Sequence, residues 1–302
     1  MTSTENSTPV LAVPATSGRL RLPPVLRRYL RNPVSVAALI VFGLVLVFAF
    51  IGPLLWKYSY ATFTPDNSRP PSLDHPFGTD STGYDTLSQV MRGTQRSVQI
   101  ALFVAVVATV LGSVVGAAAG YFGRLVDATL MRLVDLVLMF PSIAVAAVMA
   151  YVGRGSQTSW ITIGLVLSAL AWPIVARVVR STVLVHASAE YVQAAKGLGA
   201  SDAAIIARHL IPNASGTIMV AVTVLTSTAI LSETALSYLG FGVQPPDTSL
   251  GLLVSEAQTA LTTRPWVFYF PGAFIVLIAL SASFIGDGLR MALDPRQAKG
   301  NR

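Results

Sequence analysis

Six apolar stretches alternate with polar, turn-rich segments along the chain, and each apolar stretch is long enough to cross a bilayer core as a helix. They fall at about 33–56, 98–122, 130–152, 160–185, 215–239 and 266–289. This pattern predicts an all-α, polytopic membrane protein with six transmembrane helices in a membrane domain spanning 33–291, flanked by tails at 1–32 and 292–302. Residues 1–18 are rich in Ser, Thr, Pro and Ala without periodicity, which is too little apolar content to order a chain. The first apolar run begins beyond these residues and continues to Trp56, so it reads as a retained helix rather than a signal peptide.

Polar positions inside the spans single out particular contacts. Ala108, Gly112, Gly116 and Gly120 recur every four residues, a small-residue stripe suited to close helix packing in lipid. Arg132 and Asp135 stand three apart and are expected to pair at the membrane edge, while Pro141 should kink the third span. Trp172-Pro173 lies inside the fourth span, and Arg177 and Arg180 near its end can snorkel to headgroups. A charge at full depth would cost about 2.5–3.5 kcal/mol, but Glu233 lies only six residues from the outer end of the fifth span, so a smaller cost or a partner is expected. Asp287 lies close to the end of the sixth.

Between the spans, residues 57–97 include HPFGTDSTGYDTLSQVMRGTQRS, which reads as turns followed by a short interfacial helix from Asp85. Residues 240–265 combine a Pro-Pro turn with an amphipathic stretch. The segment 186–213 is different, a polar but helix-forming island between two apolar spans. Two short helices are predicted there: Ser188 caps the first, Gly199 ends it in a left-handed C′ conformation, Ser201 caps the second and Pro212 stops it. Glu190 and Ala194 share one face and Ala195 and Gly199 another, so small side chains would let a partner approach the backbone.

Composition supports the membrane reading, because 53% of the 302 residues are hydrophobic and only 12% are charged, against about 25% in soluble domains. The net charge of +7 would point to nucleic acid in a soluble protein, but here the basic residues sort by loop. Fifteen of the 21 fall in the two tails, the 123–132 region and the surroundings of the island; Lys57, Arg69, Arg92, Arg96, Arg154 and Arg264 make up the other side. The island and both termini are therefore expected in the cytoplasm, and the loops 57–97 and 240–265 outside. Cysteine is absent, which removes disulfides, thiolate catalysis and cysteine-ligated metals. None of the three lysines sits in a phosphate-binding G-x-x-x-x-G-K-[ST] loop, so ATP hydrolysis is not expected in this chain. There is no H-E-x-x-H or G-x-S-x-G, and His75, His186 and His209 are too far apart in sequence to suggest a local metal site. No catalytic residue, metal site or bound cofactor is expected.

The island resembles the EAA loop of bacterial ABC importer permeases, with Glu190, Ala194, Ala195, Gly199 and Ile211-Pro212 at the motif's positions. FGTDSTGYD, MRLVDLVLMFPS, ARVVRS, SETALSYLGFGVQPP and the tail's GDGLR with LDPR are similar to the C-type permease subunit of dipeptide and oligopeptide importers. The resemblance implies a type I ABC importer permease fold in the cell membrane. It implies a homologous B-type permease as partner, two ATP-binding subunits that hold ATP and Mg, and an extracytoplasmic binding protein that delivers the ligand, with no nucleic acid. It also assigns coupling to the ATPase to Glu190, Tyr191, Ala194, Ala195, Lys196, Gly197, Gly199, Ala200 and Pro212, and leaves Arg132, Asp135, Glu233 and Asp287 as gate or packing candidates. Three positions depart from the pattern: the family often has Trp near Leu250, Asp near Met291 and Arg at Lys196. Peptides are the expected cargo, with nickel, glutathione or another small ligand as alternatives. A secondary transporter would instead move its substrate without ATPase subunits, and a membrane enzyme would need a competent pair of groups within the spans.

Overall fold

A computed structural model describes residues 24–152 and 159–293. The tail residues 1–23 and 294–302, including Arg19, Arg21, Arg296, Lys299 and Arg302, and the turn 153–158 with Arg154 lie outside the described residues.

The chain forms α1 (Pro24–Tyr29), α2 (Pro33–Phe50), α3 (Gly52–Leu55), α4 (Thr86–Phe122), α5 (Arg124–Met139), α6 (Ser142–Val152), α7 (Ser159–Ala187), α8 (Glu190–Gly197), α9 (Asp202–Ile205), a π-helical turn (Ile206–Leu210), α10 (Ile211–Tyr238), α11 (Leu250–Glu256) with a 3₁₀ extension (Ala257–Ala260), and α12 (Trp266–Leu293). Among the described residues, five helical stretches are long and apolar enough to cross a membrane: Pro33–Phe50, Thr86–Phe122, Trp160–Ala187, Asp202–Tyr238 and Trp266–Leu293. The pair α5 and α6, bent by 83°, supplies a sixth if it counts as one span. Pro141 therefore does more than kink this segment. Phe140, restricted to extended backbone by the proline that follows, sits at φ −81° and ψ 140° and ends α5 outright.

The expected boundary near residue 97 is absent. Asp85 caps α4 by accepting from the Ser88 amide at 2.9 Å, and the helix then runs unbroken for 37 residues, about 55 Å at 1.5 Å per residue. Its polar first turns are helical because the side chains find partners: Arg92 and Arg96, one turn apart, both grip Asp247, at 2.8 and 2.5 Å. Further along, α4 packs on α7 through the small-residue stripe. A Cβ added at Gly112 would lie 2.5 Å from Val175 Cβ, and one at Gly116 would lie 2.4 Å from the Ala176 carbonyl. The stripe is packing, as its spacing predicts.

The buried apolar residues form two clusters. One joins α4, α7, α10 and α12 around Ile100, Val104, Ile230, Leu236 and Ile278. The other gathers Val175, Val179, Val183, Val192, Ile205 and Leu210 under the island. At the opposite end of the bundle, residues 57–85 fold over the helix ends as a polar cap. Its centre is Asp85, which receives Trp56 Nε1 at 2.9 Å and lies 2.8 Å from His75 Nδ1, with Tyr58 stacked on the imidazole.

Candidate functional site

The island folds as two helices joined by a bend, with differences from expectation at both outer ends. Ser188 does not cap α8; its hydroxyl donates to the Val185 carbonyl at 3.3 Å and finishes α7, while Ala189 occupies the N-cap position with no side-chain bond. Gly199 is as expected, at φ +79°. Around it the Ala200 amide reaches the Ala195 carbonyl at 3.1 Å and the Gly199 amide the Lys196 carbonyl at 2.9 Å, the paired bonds of a Schellman motif. Ser201 caps α9 through the Ala204 amide at 3.4 Å.

Pro212 does not stop the second helix. Asp202–Tyr238 is one continuous stretch in which the π turn 206–210 immediately precedes the proline. A proline within a helix lacks an amide and its ring crowds the carbonyl four residues back, here Arg208; the wider π turn makes room for both. The helix therefore passes through Pro212 instead of ending there.

The island has one face on the bundle and one facing out. Val192, Ile205 and Leu210 are fully buried, and Ala195 is half-buried beside them. Glu190, Tyr191, Ala194, Lys196, Gly197, Gly199 and Ala200 are exposed, and Leu198 at the tip is 89% exposed. A Cβ at Gly197 or Gly199 would meet nothing within 4 Å. The outward surface is thus a shallow, small-residue ridge with an apolar tip. Ala195, grouped by spacing with Gly199, turns toward the bundle instead.

Four contacts hold the ridge. Tyr121, at the end of α4, donates its hydroxyl to Asp202 Oδ1 at 2.5 Å, and Lys196 Nζ sits 4.6 Å from the same ring. Tyr191 Oη lies 3.2 Å from His186 Nδ1 and receives Asn213 Nδ2 at 3.4 Å, tying α8 to the end of α7 and the start of α10. Tyr121 and Asp202 escape a reading by sequence, although an aromatic hydroxyl at the end of an apolar span is a signal that something polar lies within reach.

The gate and packing candidates resolve differently. Asp135 does not pair with Arg132: its partner is Arg177 on α7, at 2.5 Å, and Arg132 is exposed. Three residues' spacing allowed the local pair, but the α5–α7 packing offers Asp135 a guanidinium from across the helix interface. Next to it, Arg180 holds both oxygens of Asp127, with Nη2 to Oδ2 at 2.6 Å, so two cross-helix pairs bind α5 to α7. Glu233 is fully buried and does have partners: Ser97 and Ser237 donate to its two oxygens at 3.0 and 2.7 Å, and Ser97 accepts the Leu250 amide at 3.2 Å. It joins α10, α4 and α11. Asp287 is exposed on α12 near the island end. At the α5–α6 break, a cavity of about 180 Å³ is bordered by Phe140, Ile143, Leu170 and Leu225, with Ser142, Thr228 and Ser232 as its hydroxyls. Among the described residues no group of His, Cys, Asp and Glu could hold a metal ion.

Comparison with known proteins gives the arrangement a family. Residues 108–299 match the binding-protein-dependent transport system inner membrane component, and residues 24–72 match the N-terminal TM domain of oligopeptide transport permease C. The chain is 40% identical over 272 residues to the oligopeptide transport system permease protein OppC of Mycobacterium tuberculosis (strain ATCC 25618 / H37Rv), covering 90% of this chain and 93% of that protein. It is 37% identical to the dipeptide transport system permease protein DppC of Alkalihalophilus pseudofirmus over 88% of this chain and 87% of that one, and 37% identical to OppC of Escherichia coli (strain K12) over 89% of each. The matched regions include the island, both cross-helix ion pairs and Glu233. This chain belongs to the family of binding-protein-dependent transport system inner membrane components.

Proposed function

We propose that the chain is one of two permease subunits of an ATP-driven importer, and that it forms half of a pathway for peptides delivered by an extracytoplasmic binding protein. Its partners in this reading are a homologous permease and two ATP-binding subunits, which hold the ATP and Mg. The peptide assignment rests on the similar proteins being oligopeptide and dipeptide permeases. The cytoplasmic placement of the island, and of both termini, rests on the distribution of basic residues.

The observation that carries the reading is the island's architecture. A solvent-facing ridge of Ala194, Gly197, Leu198, Gly199 and Ala200 is backed by buried Val192 and Ile205 and joined at both ends to membrane-crossing helices. Such a ridge fits a cleft in an ATP-binding subunit, with Leu198 inserted and Glu190 and Lys196 flanking it. Movement of that cleft then pushes on α7 and α10, and alternating access follows as a rigid-body shift between the two permeases, biased by ATP through differential contacts. Pro212 acts within this lever as part of the continuous helix that carries the island's movement into α10.

Purification of the assembled complex from its native membrane, followed by mass spectrometry of its subunits and of the ligand on its binding protein, tests the proposal. The expected result is two ATPase subunits, a second permease and a bound peptide. Recovery without any ATPase subunit would overturn the importer reading, and a non-peptide ligand would overturn the cargo assignment alone.

A further inference from the structure

At the polar-loop end, opposite the island, a cavity of about 460 Å³ opens between the 60–89 region, α11 with its 3₁₀ extension, and the start of α12. That volume lies in the range of small-molecule sites. Four charged residues border it: Asp80, Asp247, Glu256 and Arg264. Asp247 is already matched, because Arg92 and Arg96 share its two oxygens. Arg264 turns its Nη1 to the Ser68 hydroxyl at 3.2 Å.

The remaining two carboxylates have no ion-pair partner among the described residues. Asp80 receives three hydrogen bonds, from the Thr82 amide, the Thr82 hydroxyl and the Tyr84 amide, at 2.8, 2.9 and 2.9 Å, and all fall on Oδ1. Glu256 makes no ion pair among the described residues. Glu256 is exposed at the cavity's edge, yet the partial desolvation of its carboxyl and then the Asp80 charge push it above the usual range. Two acids that repel each other across a cavity leave a place where a cation is favoured.

A second, independent feature belongs to the same cavity. Thr86 and Thr248 line it, only 5% and 6% exposed, and neither hydroxyl has a hydrogen-bond partner among the described residues. A buried hydroxyl without a partner costs about 1–3 kcal/mol. Rotation about χ1 exchanges a threonine's hydroxyl and methyl positions, so each can serve as a hydrogen-bonding group for an occupant. Tyr60, Tyr84 and Gln89 complete a polar wall, while Leu252, Leu253 and Pro271 form an apolar one.

We propose that this cavity binds a small ligand through a primary ammonium group, which is held between Asp80 and Glu256 with the Thr86 and Thr248 hydroxyls as further acceptors. The inference uses only the chemistry of the cavity and stands whether or not the importer reading does.

The test is isothermal titration calorimetry on the assembled complex in lipid nanodiscs, with the binding protein left out. The probes are alanyl-alanine, N-acetyl-alanyl-alanine, which lacks the ammonium, and cadaverine, which has ammonium groups without a peptide. Alanyl-alanine should bind at least tenfold more tightly than its acetylated form. Comparable binding of cadaverine would place recognition in the charge alone; weaker binding of cadaverine would tie it to a peptide's amino terminus, and both support the site. Glu256→Gln should weaken alanyl-alanine at least fivefold. Thr248→Val should weaken it severalfold while leaving the melting temperature unchanged or raised, since the hydroxyl has no partner to lose within the chain. Equal binding of the two dipeptides, undiminished binding in both variants, or no binding of either amine at millimolar concentration would overturn the proposal.

Discussion

Replacement of Gly199 offers the sharpest test of the island as a coupling element, because its effect can be isolated from packing. At φ +79° a residue with a Cβ is strained, but the Cβ itself would meet nothing within 4 Å. The whole penalty therefore lies in the backbone, about 1–2 kcal/mol for an ordinary residue and more for a β-branched one. The chain can escape it only by leaving the left-handed conformation. That escape would break the Ala200–Ala195 and Gly199–Lys196 bonds, each contributing about 0.5–1.5 kcal/mol. Either route costs on the order of 2 kcal/mol in Gly199→Val, and at about 1.4 kcal/mol per factor of ten the displaced island becomes roughly thirtyfold more populated. Gly199→Asn should cost much less, since Asn tolerates the left-handed region. Reconstituted complexes with ATP hydrolysis and uptake measured side by side should show many more ATP consumed per ligand imported in the Val variant, and a ratio within about twofold of wild type for Asn. Membrane yield should be equal in all three. A Val variant with the wild-type ratio, in which hydrogen exchange shows residues 195–200 rearranged, would refute the coupling role of this junction.

Further outcomes follow from other contacts. Gly116→Val would place a Cβ 2.4 Å from the Ala176 carbonyl and force α4 from α7; overpacking of this kind costs about 1–3 kcal/mol and should lower the melting temperature in detergent, whereas Gly43→Val, with open space around it, should not. Tyr121→Phe removes the bond to Asp202 while keeping the ring under Lys196, a loss of about 1 kcal/mol that should speed hydrogen exchange across 190–210 and leave the remainder of α4 protected. Glu256 carries a raised pKa and is faced by Asp80, Asp247 and Arg264 along with Tyr60 and Tyr84, so the folded state holds its proton more tightly than the unfolded. Its stabilisation is full below the unfolded carboxylate range and lost as pH rises through the raised value, and Glu256→Gln should flatten that part of a melting-temperature profile. The absence of cysteine allows clean spin labelling: a pair at Val114→Cys and Val224→Cys, on α4 and α10, should keep one distance through the ATP cycle, while Val114→Cys with Val148→Cys on α6 should change. A constant second distance with a changing first would reverse the assignment of moving parts.

What the sequence reveals here is governed by range. Periodicity and length are local, so the spans, the small-residue stripe and the left-handed Gly199 are legible from residues a few positions apart. Asp135 shows the limit: its neighbour Arg132 was the visible partner, yet Arg177, 42 positions away, holds it. The polar start of α4 reads as loop because Asp247, which neutralises Arg92 and Arg96, is about 150 residues distant. Pro212 misleads for another reason. A proline's crowding is relieved here by the turn before it, and nothing in IARHL announces a π turn. The outer cavity is invisible in the sequence, since one wall comes from residues 60–89 and the other from residues 245–271, more than a hundred positions away.

These long-range contacts decide which parts of the permease can move together. The helix from Asp202 to Tyr238 runs without a break from the island to the far side of the bundle, so a push on the ridge reaches Glu233 directly. There Ser97 ties it to α4, and at the other end Tyr121 ties α4 back to Asp202. Two helices pinned at both ends cannot slide past one another without breaking a buried carboxylate's hydrogen bonds, whose loss costs more than an exposed bond's. Close packing along Gly112 and Gly116 adds α7 to the same body, and the Arg177–Asp135 and Arg180–Asp127 pairs add α5. The cross-helix ion pairs thus reach no further than α5. Beyond Pro141, α6 crosses at 83° to α5, packs Ala146, Ala147 and Ala150 into the core shared with α4, α7 and α10, and borders the cavity at the break. A displacement that starts at the ridge is therefore carried by α4, α5, α7 and α10 as one piece, and the 83° bend after Phe140 is where α6, packed on that piece through its alanines, can turn relative to α5.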